Sequence, residues 1–429
     1  MTVRRKGRGK TLAGTKRLLM QWATGQAGTA APPEEVSAIV LENSDHLTTV
    51  VESGLAGPDT VIFVPDGPGD ASGPVVVPYE GSLSEPGAEM SLSESFFLQT
   101  QDYATSEYMS VIGPTAIRVF GEDDFELYVS DADRALAEGH FAEFLIHPTV
   151  RLADTPALGA GPGPGPLAGR DGAARREGPA GRDGAAGRDG AAGRGEAGGR
   201  DGAAGRGEAG GRDGAGRDGA GGRGEAARPD QAADPGQAAG AGHDGPRLRL
   251  YAGPDGELST SPTGLPLGKV GDDLATLTAA WHRLNAKTDH PCAVCLGAAV
   301  PEERRAAELA ARPWLGRYLA ALAAVRDLTL RGAAGVRVSG FGGRLATALE
   351  PLAAADLTRP DVPLLLWTDD AAYVHQPWPA RTFEVEHRAG ELAEALLVCG
   401  SIEAAAEHAD PAGLRTVTGY FAGAGVRLT

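Results

Sequence analysis

The chain has 429 residues, of which 42% are hydrophobic, and its formal net charge is −17. This length allows two or three folded domains, and the acidic balance disfavours a nucleic-acid-binding protein, which usually carries a basic face. We find no apolar run of transmembrane length and no secretory signal, and three cysteines are too few for a disulfide framework, so we expect a cytoplasmic protein without a membrane partner.

Residues 1–30 combine a basic segment with a short predicted helix. The helix covers residues 14–23 and would place Leu18, Leu19 and Trp22 on one face. We interpret the rest of this stretch as a solvated flexible tail, although a basic arm of this kind could also contact nucleic acid, a membrane or an acidic partner. Its charged residues are Arg4, Arg5, Lys6, Arg8, Lys10, Lys16 and Arg17.

Residues 31–156 alternate between strand-like and helix-like segments, which predicts a small α/β domain. A helix separates the first two strands, so these strands are expected to pair in parallel. Asp123 and Asp124 lie in the first turn of the last helix, where the helix dipole favours carboxylates. Strands are predicted at 36–43, 60–66, 74–81, 95–101 and 115–120, and helices at 45–54, 102–113 and 123–139.

Residues 157–246 are dominated by a degenerate six-residue repeat of Gly, Ala, Arg and Asp. Between Gly181 and Gly193 a glycine occupies every third position, as in collagen. Glu196 and Glu208 then break this register and proline is scarce, so a triple helix is disfavoured. Such a composition buries too little surface to offset backbone entropy, and we predict a disordered low-complexity linker.

Residues 247–358 are predicted to form an α+β domain that contains the sequence "HPCAVC". The Cys-x-x-Cys spacing lets Cys292 and Cys295 bind one zinc ion. A structural zinc site needs four ligands, and His282, His290 and Cys399 are the available additions. The alternative interpretation is that the two cysteines are small buried side chains.

The same region resembles the auxiliary-cluster domain of radical SAM peptide-maturing enzymes. The similarity is carried by "PDGELSTSPTGLPLGKVGDDLATLTAAW" followed by "HPCAVC". Thr260 or Ser261 stands where that family has its first cysteine, and no Cys-x-x-x-Cys-x-x-Cys occurs in the chain. The resemblance therefore implies at most a relic of the domain without its cluster.

Residues 359–429 predict three antiparallel strands followed by three helices, which is a winged helix-turn-helix arrangement. Ser401 and Asp410 are suited to cap the second and third helices. The strands are predicted at 363–368, 371–375 and 381–386, and the last helix spans 411–424.

This C-terminal segment resembles the RiPP recognition element, the domain that binds leader peptides in ribosomal peptide biosynthesis. The stretches "LLVCGSIEAAAEHAD" and "YFAGAGVRL" carry the similarity. In that family the leader adds as a strand beside the third strand and packs on the third helix, which is β-augmentation. The residues that the resemblance implies for leader binding are Arg381, Thr382, Phe383, Glu384, Val385, Leu414, Arg415, Val417, Thr418 and Phe421.

The order of segments is also similar to the recognition proteins of daptide biosynthesis, an actinobacterial natural-product class. The stretch "GTKRLLMQWATG" and the block from "FFLQTQDYATSEY" to "ADRALAEG" extend the similarity beyond the C-terminal module. It implies a protein that presents the precursor to an oxidative decarboxylase and an aminotransferase.

A non-catalytic role agrees with the motifs, because none of the histidines lies in a nucleophile elbow, zincin helix or phosphate loop. A winged helix could instead bind DNA as a transcriptional regulator, but helix 411–424 offers one charged residue, Arg415. A zinc-binding or degenerate radical SAM maturation enzyme is the remaining alternative.

Overall fold

The computed structural model describes residues 12–26, 35–66, 74–93, 96–159, 245–286, 292–352, 355–377 and 379–429. The predicted linker therefore lies outside the described residues over 160–244, as does the basic segment before residue 12. The structure confirms an α/β N-terminal region and a C-terminal region with a small antiparallel sheet and helices.

Within these described residues, ten strands form one mixed sheet and four form a smaller antiparallel sheet. The larger sheet has the order β10-β9-β8-β1-β2-β3-β4-β5-β6-β7, and the smaller one β11-β12-β13-β14. The larger sheet contains β1 (Ala38–Leu41), β2 (Val61–Pro65), β3 (Val75–Gly81), β4 (Glu89–Ser93), β5 (Phe96–Asp102), β6 (Thr115–Arg118), β7 (Val150–Leu152), β8 (Arg249–Ala252), β9 (Glu257–Ser259) and β10 (Gly268–Lys269). The smaller sheet contains β11 (Arg337–Val338), β12 (Leu364–Trp367), β13 (Ala372–Gln376) and β14 (Arg381–Val385).

Eleven α-helices cover the two sheets in the described ranges. They are α1 (Leu12–Thr24), α2 (Leu47–Glu52), α3 (Glu122–Glu138), α4 (Glu143–Ile146), α5 (Thr155–Leu158), α6 (Leu274–Asn285), α7 (Glu302–Ala311), α8 (Leu315–Leu330), α9 (His387–Cys399), α10 (Ile402–Ala405) and α11 (Pro411–Gly423). None of them combines the length and hydrophobicity that crossing a bilayer requires.

The central strands are buried on both faces, which explains their continuous apolar sequences. Every residue of β1 is buried, and β1 pairs in parallel with β2, as the sequence predicts. One face of this part of the sheet packs on α1 through Leu19 and Trp22. The opposite face packs on α2 and α6 through Val50 and Leu277.

Strand β8 joins two segments that the sequence analysis assigned to separate domains. It pairs in parallel with β1, in the register Ala38↔Arg249, so residues 249–269 complete the N-terminal sheet. The segments 31–156 and 247–358 thus both contribute strands to one sheet. Helix α1 also belongs to this core, because Trp22 Nε1 donates to the Leu250 carbonyl at 2.9 Å.

The helix predicted over residues 102–113 is not present. Only a 3-10 turn at Ser106–Tyr108 forms there. The Asp102 carboxylate accepts from the Thr105 amide at 2.6 Å, and the Asp124 carboxylate accepts from the Ala104 amide at 2.9 Å. These side-chain contacts compete with helical hydrogen bonds and hold the segment as a turn. The structure also adds β4 and β7, which the sequence analysis did not predict.

A buried ion cluster connects β6, β7 and β8. The Asp154 carboxylate accepts from Arg118 Nη1 at 3.1 Å and from Arg249 Nη2 at 2.7 Å, and all three side chains are at most 1% exposed. Arg249 also donates to the Trp22 carbonyl at 2.6 Å, which extends the cluster to the end of α1. Burial lowers the pKa of Arg249, and Asp154 opposes that change.

The smaller sheet is covered on both faces. Leu364 and Leu366 of β12 face the core that contains α8, whereas Leu365 faces the core formed with α9 and α11. In α9, the fully buried Glu394 carboxylate accepts from Ser339 Oγ at 2.6 Å and from the Ala346 amide at 2.7 Å. Burial raises the pKa of Glu394, and these hydrogen bonds oppose the rise.

We predict that Asp154→Asn destabilises the protein by about 3–5 kcal/mol, because it leaves two buried guanidinium groups without a counter-charge. Urea unfolding followed by circular dichroism measures this loss. Asp369→Asn is the matched control, since Asp369 forms an ion pair with Arg337 but its side chain is 93% exposed. The control is expected to stay within about 0.5 kcal/mol of the wild type. Equal midpoints for the two variants would contradict the role assigned to Asp154.

Candidate functional site

Strand β14 forms one edge of the smaller sheet. Its inner side pairs with β13 in antiparallel register from Ala372↔Val385 to Gln376↔Arg381. In the part of the chain that the structure describes, no strand pairs with its outer side. An edge strand of this kind presents unpaired N–H and C=O groups to solvent and can accept a further strand.

The hydrogen-bond pattern shows which residues of β14 face outward. The turn between β12 and β13 closes with the Thr368 amide donating to the Ala371 carbonyl at 2.9 Å. Because hydrogen-bonded and non-hydrogen-bonded pairs alternate along antiparallel strands, Ala372, Val374 and Gln376 then point their backbone groups toward β14. In β14, the peptide groups of Thr382 and Glu384 are consequently the ones that point outward.

Helix α11 lies beside β14. The Phe383 and Phe421 rings meet edge to face with centroids 5.7 Å apart, and Arg381 Nη1 donates to the Ala424 carbonyl at 3.3 Å. Asp410 caps the helix by accepting from the Gly413 amide at 2.7 Å, and Ser401 caps α10 by accepting from the Ala404 amide at 3.1 Å. Both caps agree with the sequence prediction.

The residues predicted to bind a leader fall into three environments. Leu414, Val417 and Phe421 are buried in the core of the C-terminal region and hold α11 in place. Phe383 and Val385 are half-buried at the margin of the same core. The remaining members are exposed or half-buried: Arg381, Thr382, Glu384, Arg415 and Thr418.

The opposite face of β14 borders a cleft of about 420 Å³ beneath the C-terminal end of α8. Two exposed carboxylates, Asp370 and Glu384, line it, and neither forms an ion pair among the described residues. Arg331 also lines the cleft, but its guanidinium is held by Asp327 at 2.7 Å. The other lining residues are Leu328, Gly332, Ala333, Ala334, Thr368, Tyr373 and Thr382.

A chain of polar contacts connects Thr382 of β14 to β13 and α8. His375 Nδ1 lies 2.9 Å from Thr382 Oγ1, and that hydroxyl donates to Asp327 Oδ2 at 3.3 Å. Burial lowers the pKa of His375 from 6.5 to about 4, and Asp327 opposes this decrease only partly. The imidazole is therefore neutral at pH 7 and acts as a structural hydrogen-bonding partner of Thr382.

The two cysteines of the Cys-x-x-Cys motif form a disulfide with each other. Cys292 and Cys295 are both buried and joined as a disulfide, and Thr260 Oγ1 lies 3.4 Å from the Cys295 sulfur. Within the described ranges, no group of three or more His, Cys, Asp or Glu side chains is arranged to hold a metal. His290 lies outside the described residues, and Cys399 is a free thiol in a different core. The described residues thus bring no further ligand to this pair, and zinc binding there stays a prediction.

No family model, curated protein or solved structure matches this chain. The β14 site and the sequence resemblance therefore remain as the basis for proposing a function.

Sequence reasoning missed the cleft and the distinction between the two faces of β14. The alternation of "RTFEV" indicates one buried face. It does not indicate that α8, more than fifty residues earlier, covers the other face. The turn "TDDA" was the available signal for the outward-facing residues, because a tight hairpin fixes the register of all later pairs.

We predict that His375 makes the protein acid-sensitive. Its pKa is lower in the folded than in the unfolded chain, so the unfolded state binds the proton first as the pH falls below 6.5. Stability should decline between pH 6.5 and 4, by about 3 kcal/mol in all.

Urea unfolding at several pH values should show this decline in the wild type and a flatter profile for His375→Gln. His408→Gln, at an exposed position, should keep the wild-type profile. An unchanged slope in His375→Gln would rule out this origin of the pH dependence.

Proposed function

We propose that this chain is a non-catalytic recognition protein that binds the leader of a ribosomally synthesised precursor peptide. The leader would add as a strand to the outer side of β14 and contact α11. Main-chain hydrogen bonds would supply affinity, and side-chain contacts on the two sides of the added strand would supply register.

The observation that supports this proposal is the unpaired outer side of β14 beside α11. A strand placed there meets the outward peptide groups of Thr382 and Glu384. On the α11 side it meets the half-buried Phe383 and Val385, whose apolar surface an added strand would cover further. Three strands followed by three helices are also the order expected for a winged-helix recognition element.

DNA binding is a weaker proposal for the same arrangement. Helix α11 exposes one charged side chain, Arg415, and its other outward positions are mostly small or uncharged, such as Gly419 and Ala422. Reading a major groove requires side chains that reach base edges and phosphates. A chain with net charge −17 would also repel the phosphate backbone over most of its surface.

In this proposal the bound precursor is presented to separate modifying enzymes. The similarity to daptide recognition proteins suggests an oxidative decarboxylase and an aminotransferase as partners. None of the described residues that line the β14 cleft belongs to the N-terminal α/β region, and we propose that region as the surface for their docking.

The test is fluorescence anisotropy with a labelled synthetic leader from the precursor peptide encoded nearest this gene. Full-length protein should bind it saturably at roughly micromolar Kd or tighter, with weak dependence on salt. Glu384→Pro should lower affinity at least tenfold, because it removes an outward N–H while the bonds to β13 remain.

Glu384→Ala is the matched control, since it removes the same side chain but retains the N–H. A proline variant that binds as well as the alanine variant would contradict strand addition at β14. Absence of binding by the wild type would reject leader recognition altogether.

A further inference from the structure

The two faces of β14 offer different surroundings to an added strand. Side chains of neighbouring residues in a strand point to opposite faces. Phe383 and Val385 lie on the face of α9 and α11, in an apolar core. Thr382 and Glu384 lie on the face of α8 and line the cleft. A strand paired with β14 would therefore direct alternate side chains toward the half-buried Phe383 and Val385 and into this cleft.

The cleft is suited to a cation. Asp370 and Glu384 place two exposed carboxylates on its wall, and neither has an ion-pair partner in the described ranges. The one basic residue on the wall, Arg331, is already neutralised by Asp327. The cleft thus carries an uncompensated negative charge at the unpaired edge of the sheet.

Geometry sets which residue of the added strand would meet this charge. Side chains directly opposite each other on paired strands have Cβ atoms about 5 Å apart, on the same face of the sheet. The residue opposite Glu384 therefore points toward the cleft whether the added strand runs parallel or antiparallel. Its two neighbours point toward the α11 side.

We propose that the cleft binds a lysine or arginine side chain of the leader, at the position opposite Glu384, between two apolar side chains that face α11. This inference rests on the proposed function and specifies the substrate: a leader with an apolar–basic–apolar alternation. Asp370 and Glu384 are then residues that determine specificity, whereas the backbone of β14 provides sequence-independent pairing.

Charge reversal tests the inference with the same labelled leader. Glu384→Lys and Asp370→Lys should each lower affinity about tenfold, because a like charge then faces the basic side chain. Leaders in which each Lys or Arg is replaced singly by Glu are titrated in parallel. One of these replacements should weaken binding to the wild type and restore binding to Glu384→Lys.

Glu403→Lys is the control for net charge, since Glu403 is exposed on α10 away from the cleft lining. It should bind the unmodified leader as the wild type does. Two results would overturn the cleft assignment. One is that Glu384→Lys and Asp370→Lys both bind the leader with wild-type affinity, and the other is that the bound leader contains no basic residue. If Glu384→Pro still lowers the affinity for the leader, strand addition at β14 stands although the cleft assignment fails. Failure of this inference is therefore distinguishable from failure of the proposed function.

Discussion

A single buried carboxylate, Asp154, holds together segments that are far apart in the sequence. It follows β7 and binds Arg118 at the end of β6 and Arg249 at the start of β8. Two guanidinium groups and one carboxylate are removed from water, and this is tolerated only with close mutual contact. The Trp22 carbonyl near the end of α1 supplies a further acceptor to Arg249. The cluster thereby fixes where the chain re-enters the sheet after residues 160–244.

The position of β8 also affects where α8 lies relative to the smaller sheet. The segment that begins with β8 continues through α6 and α7 to α8, and α8 packs against α3 and α4 on one side and β12 on another. Arg317 of α8 donates to the Val362 and Pro363 carbonyls at 2.8 Å, just before β12. The N-terminal sheet thus determines where the helix over the smaller sheet lies. With both faces of that sheet covered, its edge strand β14 keeps backbone groups that no other described strand pairs with.

Local sequence patterns were sufficient for elements whose burial is decided within a few residues. The strands β1, β2 and β12 to β14 and the helices α3, α9 and α11 follow their periodicity and caps. Pairing between distant strands was not predictable, because "RLYA" has no local feature that selects β1 as its neighbour. The 102–113 segment has helical composition, but contacts from Asp102 and the distant Asp124 decide its conformation. For the same reason the local sequence of α8 indicates a helix but does not indicate its contribution to the cleft.

The charged residues of β14 affect which strands can pair with this edge. An unpaired edge strand invites association with other strands, and charged residues on such edges oppose it. Arg381 and Glu384 are the exposed residues of β14, and they lie on opposite faces of the sheet. A second copy of β14 added in antiparallel orientation, with Glu384 opposite Glu384, is disfavoured by like-charge repulsion. A strand with a basic residue at that position removes the repulsion and replaces it with attraction. In the proposed function, the same side chain that opposes self-association would also select the bound peptide.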